Sequence, residues 1–209
     1  NQPDLGTGSM LILLGFAIIF LNGLSWNIIF SITLVSLISL PVIWQNLLEY
    51  QKYRILVFLN PELDTLGKGY QIMQSKIAIG SGGIFGKGFL TGSQSRLDFL
   101  PEKHTDFVYT LISEEMGFVG SMSVLILYFA VNIILFREFL KEENLTNKII
   151  IFGVSFLIFL YVVFNIGMVT GLIPVVGAPL PFISNGGTSL ITIFIGLGII
   201  QSIRVSRNV

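Results

Sequence analysis

The sequence predicts an all-α protein, a polytopic bundle of helices integral to a membrane, and three observations predict it. Hydrophobic residues make up 53% of the 209 residues and charged residues only 11%, whereas about a quarter of an average soluble domain is charged. No charge occurs between Asp4 and Glu49, between Glu115 and Arg137 or between Lys148 and Arg204, gaps of 44, 21 and 55 residues. A membrane-crossing helix needs about 20. Finally, 15 of the 24 charges crowd between Glu49 and Glu115, so one polar region stands among apolar ones, and function is sought there.

The same figures exclude several classes. Twelve basic and twelve acidic residues cancel, leaving no basic field to recruit nucleic acid. With no Cys, disulfides, zinc–thiolate sites and thiol nucleophiles are excluded. A single His leaves little room for a His-built metal site. The chain opens on Asn rather than Met, and no basic stretch of a signal peptide precedes the first apolar run. It is expected to continue a longer protein whose upstream part precedes residue 1.

Taken in order, the first span is expected over residues 8–24 and the second over 26–44, with Asn22-Gly23-Leu24-Ser25 as the turn. Trp26 and Trp44 suit the membrane interface. Pro41 falls late in the second span, where neighbours can satisfy the freed carbonyl. Residues 45–70 are polar, carry Lys52, Arg54 and Lys68, and contain turn signals at Asn60-Pro61 and Gly67-Lys68-Gly69. Residues 70–82 read either as an interfacial helix or as a short span with Gln71, Gln74, Ser75 and Lys76 facing protein or water, and topology favours the span. Further spans follow at 117–136 and 149–170, separated by a charged loop with three basic residues, Arg137, Lys141 and Lys148. Pro174, Pro179 and Pro181 break the helix before a last span at 184–203, which ends at Arg204 and Arg207.

Placing the two basic ends, 137–148 and 204–207, in the cytoplasm leaves residues 85–115 outside. Residues 45–68 then lie inside only if 70–82 crosses. This arithmetic gives six spans with a large external loop between the third and fourth. The whole of 1–209 is one transmembrane domain, and 83–116 is its external, chemistry-bearing loop. Lys87, Arg96 and Lys103 in that loop oppose the charge bias, so something other than topology keeps them there.

Within that loop, Leu100-Pro101-Glu102-Lys103-His104-Thr105-Asp106-Phe107 gathers two carboxylates, an imidazole and a cation beside a span. Three readings are open: a solvated loop with local ion pairs, a metal site of Glu102, His104 and Asp106, or acid–base chemistry by a partly desolvated carboxylate. The glycine-rich run at 80–88 is not a Walker loop, because the spacing to Lys87 is wrong and no Ser or Thr follows it. Its plain reading is a loop that lets backbone approach another helix closely. A pyrophosphate-bearing lipid nearby would find cations in Lys76, Lys87, Arg96 and Lys103.

These residues resemble a known family. Gln74-Ser75-Lys76, Gly80-Ser81-Gly82-Gly83, Gly86-Lys87-Gly88, Gly92-Ser93-Gln94-Ser95 and the 100–107 motif are similar to those of the bacterial SEDS proteins (shape, elongation, division and sporulation). So are Gln2-Pro3-Asp4-Leu5-Gly6-Thr7, Gly171-Leu172-Ile173-Pro174-Val175-Val176-Gly177, Pro179-Leu180-Pro181 and Gly186-Gly187-Thr188-Ser189. Phe58-Leu59-Asn60-Pro61-Glu62 leans toward the elongation (RodA) branch; Asn185 departs from the Tyr usual before the two glycines. The resemblance implies about ten spans in the whole protein, of which this chain carries roughly the last six. It implies a peptidoglycan glycosyltransferase of the bacterial cytoplasmic membrane that polymerises lipid II and releases undecaprenyl pyrophosphate. A class B penicillin-binding protein and membrane lipids are the implied partners, and nucleic acid is not one.

In that family the Asp matching Asp106 is the proposed catalytic residue. Glu102, Lys103, His104 and Thr105 would tune its site, with Gln74, Ser75, Lys76, Lys87 and Arg96 meeting substrate. No metal ligand is assigned; a divalent cation, Mg or Mn, is an optional helper at the pyrophosphate. Two alternatives remain open at this point: a lipid II flippase, and a non-catalytic scaffold for the penicillin-binding protein. Glu115 reads as the anion at the start of a helix, and Asp4 as a cap.

Overall fold

The apolar runs become helices. The computed structural model describes residues 5–64, 67–92 and 105–207, and among these no strand occurs. Helix α1 covers Leu5–Leu21, α2 Trp26–Asn46, α3 Glu49–Leu59 and α4 Lys68–Ser81, with a 3-10 turn at Pro61–Leu63. Then follow α5 at Val108–Lys141, α6 at Leu145–Val169 and α7 at Gly187–Arg207. Helices α2, α5, α6 and α7 are long and apolar enough to cross a membrane, and α1 is a shorter apolar helix. The protein is an all-α, multi-pass membrane protein.

Local chemistry sets the boundaries. Asn144 caps α6, its side chain accepting from the N–H groups of Thr146 at 2.9 Å and Asn147 at 3.4 Å, a cap worth about 1 kcal/mol. Helix α5 has 34 residues, about 51 Å if straight, against a hydrocarbon core of about 30 Å. Gly117 resolves the excess. Its φ of 66° and ψ of −159° break the helix, a conformation that only glycine adopts cheaply. Residues 108–116 form a half-helix, and 118–141 make the span, about 36 Å long. Across the break the Ser121 hydroxyl donates to Ser113 Oγ at 2.8 Å, so the two pieces fold toward each other.

Helices α5 and α6 run antiparallel through a turn at residues 142–144. Asn132 on α5 meets Ser155 on α6 at 3.1 Å, and the Phe139 ring lies against Phe152. Ile151, Ile158, Val162, Leu135, Ile193 and Ile200 make the middle of the core. Helix α1 packs along α6, with Met10 against Leu160 and Phe164. Helix α2 buries none of its residues.

One expected span is corrected. Residues 70–82 belong to α4, whose 14 residues cover about 21 Å, short of a crossing. Both ends of α4 also touch the same end of the bundle. Lys76 and Ile72 lie against Gly171, just past the end of α6, while Gly82 abuts Ser113 near the start of α5. Helix α3 and the 3-10 turn follow it there, because Gly69 packs on the backbone of Pro61 and Asp64. Residues 49–64 therefore share the end of the bundle that holds Asp106, and Lys52, Arg54 and Lys68 do not join Arg204 and Arg207. Five apolar helices account for the spans. The large loop lies between the second and third of them, where the sequence had suggested the third and fourth.

Candidate active site

Asp106 sits in the turn immediately before α5, anchored by Phe107, which is 1% exposed. An aromatic ring driven into the core at the next position restricts where the aspartate can go. Two further groups hold the same stretch by its backbone. Asn165 of α6 donates its side-chain N–H to the Asp106 carbonyl at 2.8 Å and to the Ala178 carbonyl at 2.6 Å. Ser184 donates to the Thr105 carbonyl at 2.5 Å and accepts from the Leu180 N–H at 2.8 Å. The Asp106 carboxylate itself lies over Gly177, where an added Cβ would stand 3.4 Å from Oδ2. Gly177 has φ of 70°, so bare backbone faces the acid. The segment 171–186 is thereby packed into the bundle. Tyr128 of α5 donates its hydroxyl to the Pro181 carbonyl.

The glycine-rich run does what close-approach glycines do. Residues 83–88 insert into the break of α5. The Lys87 and Gly88 N–H groups donate to the Glu114 and Glu115 carbonyls, both at 3.0 Å. In return Phe118 and Val119 donate to the Gly83 and Ile84 carbonyls at 2.9 and 3.1 Å. A Cβ at Gly82, Gly86 or Gly117 would overlap the facing backbone. The Lys87 ammonium reaches the Glu114 carboxylate at 2.9 Å, with the Glu114 side chain 1% exposed. An unpaired carboxylate at that depth would be costly, which gives this cation a role in the fold that topology does not supply. Lys87 is thus engaged within the protein, where the sequence had offered it to substrate.

Of the α4 residues, Ser75 is fully buried. Its hydroxyl meets Thr110 Oγ1 at 2.7 Å and donates to the Val169 carbonyl at 2.8 Å, tying α4 to α5 and α6. Gln74 is half-buried and Lys76 exposed, with Lys76 beside Gly171 at the rim of the same end. A cleft of about 240 Å³ opens nearby between α3, α4 and residues 174–175, with Arg54 and Lys68 among apolar walls of Tyr53, Phe58 and Val175. Arg96, Glu102, Lys103 and His104 lie outside the described residues, as does the cap suggested for Asp4. The metal reading rests on two of these.

Sequence reading missed Asn165 and Ser184. The signal for Asn165 was present, a carboxamide inside an otherwise apolar span, which is expensive in a membrane and marks function by default.

The FtsW/RodA/SpoVE family, described as cell cycle proteins, matches residues 1–209. This chain is a SEDS protein. It is 45% identical over 212 residues to the peptidoglycan glycosyltransferase MrdB of Escherichia coli K12, covering 99% of this chain and 56% of that one. Against MrdB of Helicobacter pylori 26695 it is 39% identical, covering 100% and 54%. A solved structure titled as a peptidoglycan synthase complex that coordinates polymerization and crosslinking superposes with TM-score 0.77 at 36% identity. That match covers 95% of this chain and 55% of the other. RodA of Thermus thermophilus superposes at 0.57 with 31% identity, covering 95% and 48%. This SEDS chain therefore spans about half the length of the relatives it matches, and RodA and MrdB are among those relatives, in keeping with the elongation branch.

Proposed function

We propose that the protein to which this chain belongs is a peptidoglycan glycosyltransferase of the bacterial cytoplasmic membrane, with Asp106 as its general base. The observation that carries the reading is the setting of Asp106. Its carboxylate faces the bare backbone of Gly177 while its own backbone is held from behind. The bundle end opposite to it bears Arg204 and Arg207, which the charge bias assigns to the cytoplasm. Asp106 then works at the outer face, where lipid II presents its sugars.

The chemistry needs little more than this. The Asp106 carboxylate takes the proton of the acceptor's GlcNAc 4-hydroxyl. The freed oxygen attacks C1 of the donor's MurNAc, and the C1–O bond to pyrophosphate breaks with inversion. Undecaprenyl pyrophosphate leaves with the electron pair. That leaving group is already a stable anion, so a protonating acid is less necessary than in glycoside hydrolysis, where two carboxylates are usual. The cations Lys76, Arg96 and Lys103 would meet the pyrophosphate charge. Gln74, Glu102, His104 and Thr105 would shape the pocket around the sugars. A divalent cation, if bound, would share the pyrophosphate charge.

A class B penicillin-binding protein is the partner we assign, since polymer must be crosslinked to become wall. The similarity to a structure titled as a synthase complex supports this. The test uses the full-length protein with its transpeptidase partner and lipid II. Wild type should make glycan polymer, and Asp106→Ala should lose it by at least about 100-fold, the scale of one well-placed base. Polymer unchanged in a folded Asp106→Ala protein overturns the assignment. Translocated lipid II without polymer would identify a flippase instead, and neither activity would leave a scaffold.

A further inference from the structure

Asn165 is wholly buried in α6 among Val162, Phe164 and Met168. The two atoms that its amide nitrogen contacts are main-chain carbonyl oxygens, of Asp106 and Ala178. Carbonyls only accept, so the nitrogen must face them and Oδ1 must face away. That Oδ1 is buried without a hydrogen-bond partner. The oxygen adds nothing to the packing, and a leucine of similar size would fill the space but take the donor away from both carbonyls. The contribution of the carboxamide therefore lies in its two donated hydrogen bonds rather than in filling space. What it does uniquely is join the Asp106 backbone to residue 178 of the segment whose Gly177 faces the Asp106 carboxylate. Ser184 makes the matching contact at the preceding carbonyl, Thr105. Two consecutive carbonyls are thus fixed, each by a neutral donor that leaves the carboxylate's charge untouched.

We infer that Asn165, supported by Ser184, is a positioning residue. It clamps the backbone of Asp106 against residues 177–178 so that the carboxylate meets the acceptor hydroxyl in reacting geometry. This rests on the glycosyltransferase reading for its chemistry, while the clamp itself is measurable without turnover.

The experiment uses the full-length protein with its transpeptidase partner. Asn165→Asp keeps the shape but turns an oxygen toward the two carbonyls; Asn165→Ala and Ser184→Ala remove the donors. With lipid II, both Asn165 variants should lose kcat on the order of 10- to 100-fold, as expected for a misplaced catalytic group. KM should stay within about threefold, because no group that binds the sugars or pyrophosphate has changed. Ser184→Ala should show the same split with a smaller loss. Amide hydrogen exchange should speed up at residues 106–110 in Asn165→Ala and stay unchanged at 120–135. An unaltered kcat, a raised KM with kcat intact, or exchange accelerating evenly along α5 would each overturn the inference. Should wild type make no polymer, the glycosyltransferase reading fails. The exchange result then decides the clamp alone, and unchanged exchange at 106–110 overturns it.

Discussion

The two ends of the bundle are held together by different kinds of contact. At the Asp106 end most contacts are made by neutral side chains and peptide groups that bind main chain: Asn165 and Ser184 grip carbonyls, and residues 83–88 pair with the broken start of α5, with the Lys87–Glu114 ion pair beside them. At the Arg207 end, charge meets charge. Arg207 of α7 reaches Glu138 of α5 at 2.5 Å and Glu142 at 3.7 Å, and Lys141 adds a looser contact to Glu138 at 3.8 Å. The second of these pairs is an attraction without a hydrogen bond, since Arg207 Nη1 and Glu142 Oε2 both lack a partner of that kind. Ion pairs fasten helices but tolerate shifts of an ångström, because Coulomb attraction falls slowly with distance. Hydrogen bonds to backbone lose most of their strength over the same shift. The end that is proposed to do chemistry is built from the contact that fixes position.

That contrast can be broken in graded steps. The largest effect is expected from Gly117→Val, which combines overlap with the backbone of residues 84–86 and a forbidden positive φ. Destabilisation should exceed about 4 kcal/mol, seen as loss of a monodisperse folded protein in detergent. Lys87→Ala comes next. It takes the ammonium away from the Glu114 carboxylate, whose side chain is 1% exposed, and should cost about 3–5 kcal/mol in thermal or chemical unfolding, with Lys87→Arg milder. Arg207→Ala should cost less, about 1–3 kcal/mol, because Arg207 is 24% exposed and water can take its place beside the two carboxylates. Its discriminating feature is activity. Polymerisation per folded molecule should be unchanged in Arg207→Ala, and a fall in kcat there would mean that the two ends are not independent.

The spans were legible because charge is so expensive in lipid that its absence alone marks them; the bounds of α6 and α7 followed within four residues, whereas α5 begins nine residues before the expected start at 117, on the far side of the Gly117 break. The short α4 was not. A helix that buries Ser75 and Ala78 against protein and exposes Met73 and Ile77 has the composition of a short, polar-faced span. Only its partners distinguish the two. Asp106 stood out through the family motif of residues 100–107, whereas Asn165 and Ser184, which hold the backbone there, are uncharged. Asn165 signalled only by being polar in an apolar run, and Ser184 gave no signal that separates it from an ordinary turn serine. The pairing of Lys87 with Glu114 escaped the sequence reading for a simpler reason. Glu114 is 27 residues away from Lys87, and nothing in the sequence links the two before the glycine loop is folded into the break of α5.

The pairing between residues 83–88 and the break at Gly117 is made of peptide groups, and peptide groups are the same in every residue. Many side-chain substitutions at Ile84, Phe85 or Lys87 would leave its four cross-chain hydrogen bonds standing. A deletion would not. Removing one residue there moves each donor out of line with its acceptor and carries Lys87 away from Glu114. Away from its glycines and Lys87, this stretch is therefore a ruler: tolerant of spelling, intolerant of length. Among variants of this protein, gaps and insertions should avoid 83–88 more strictly than amino-acid changes do.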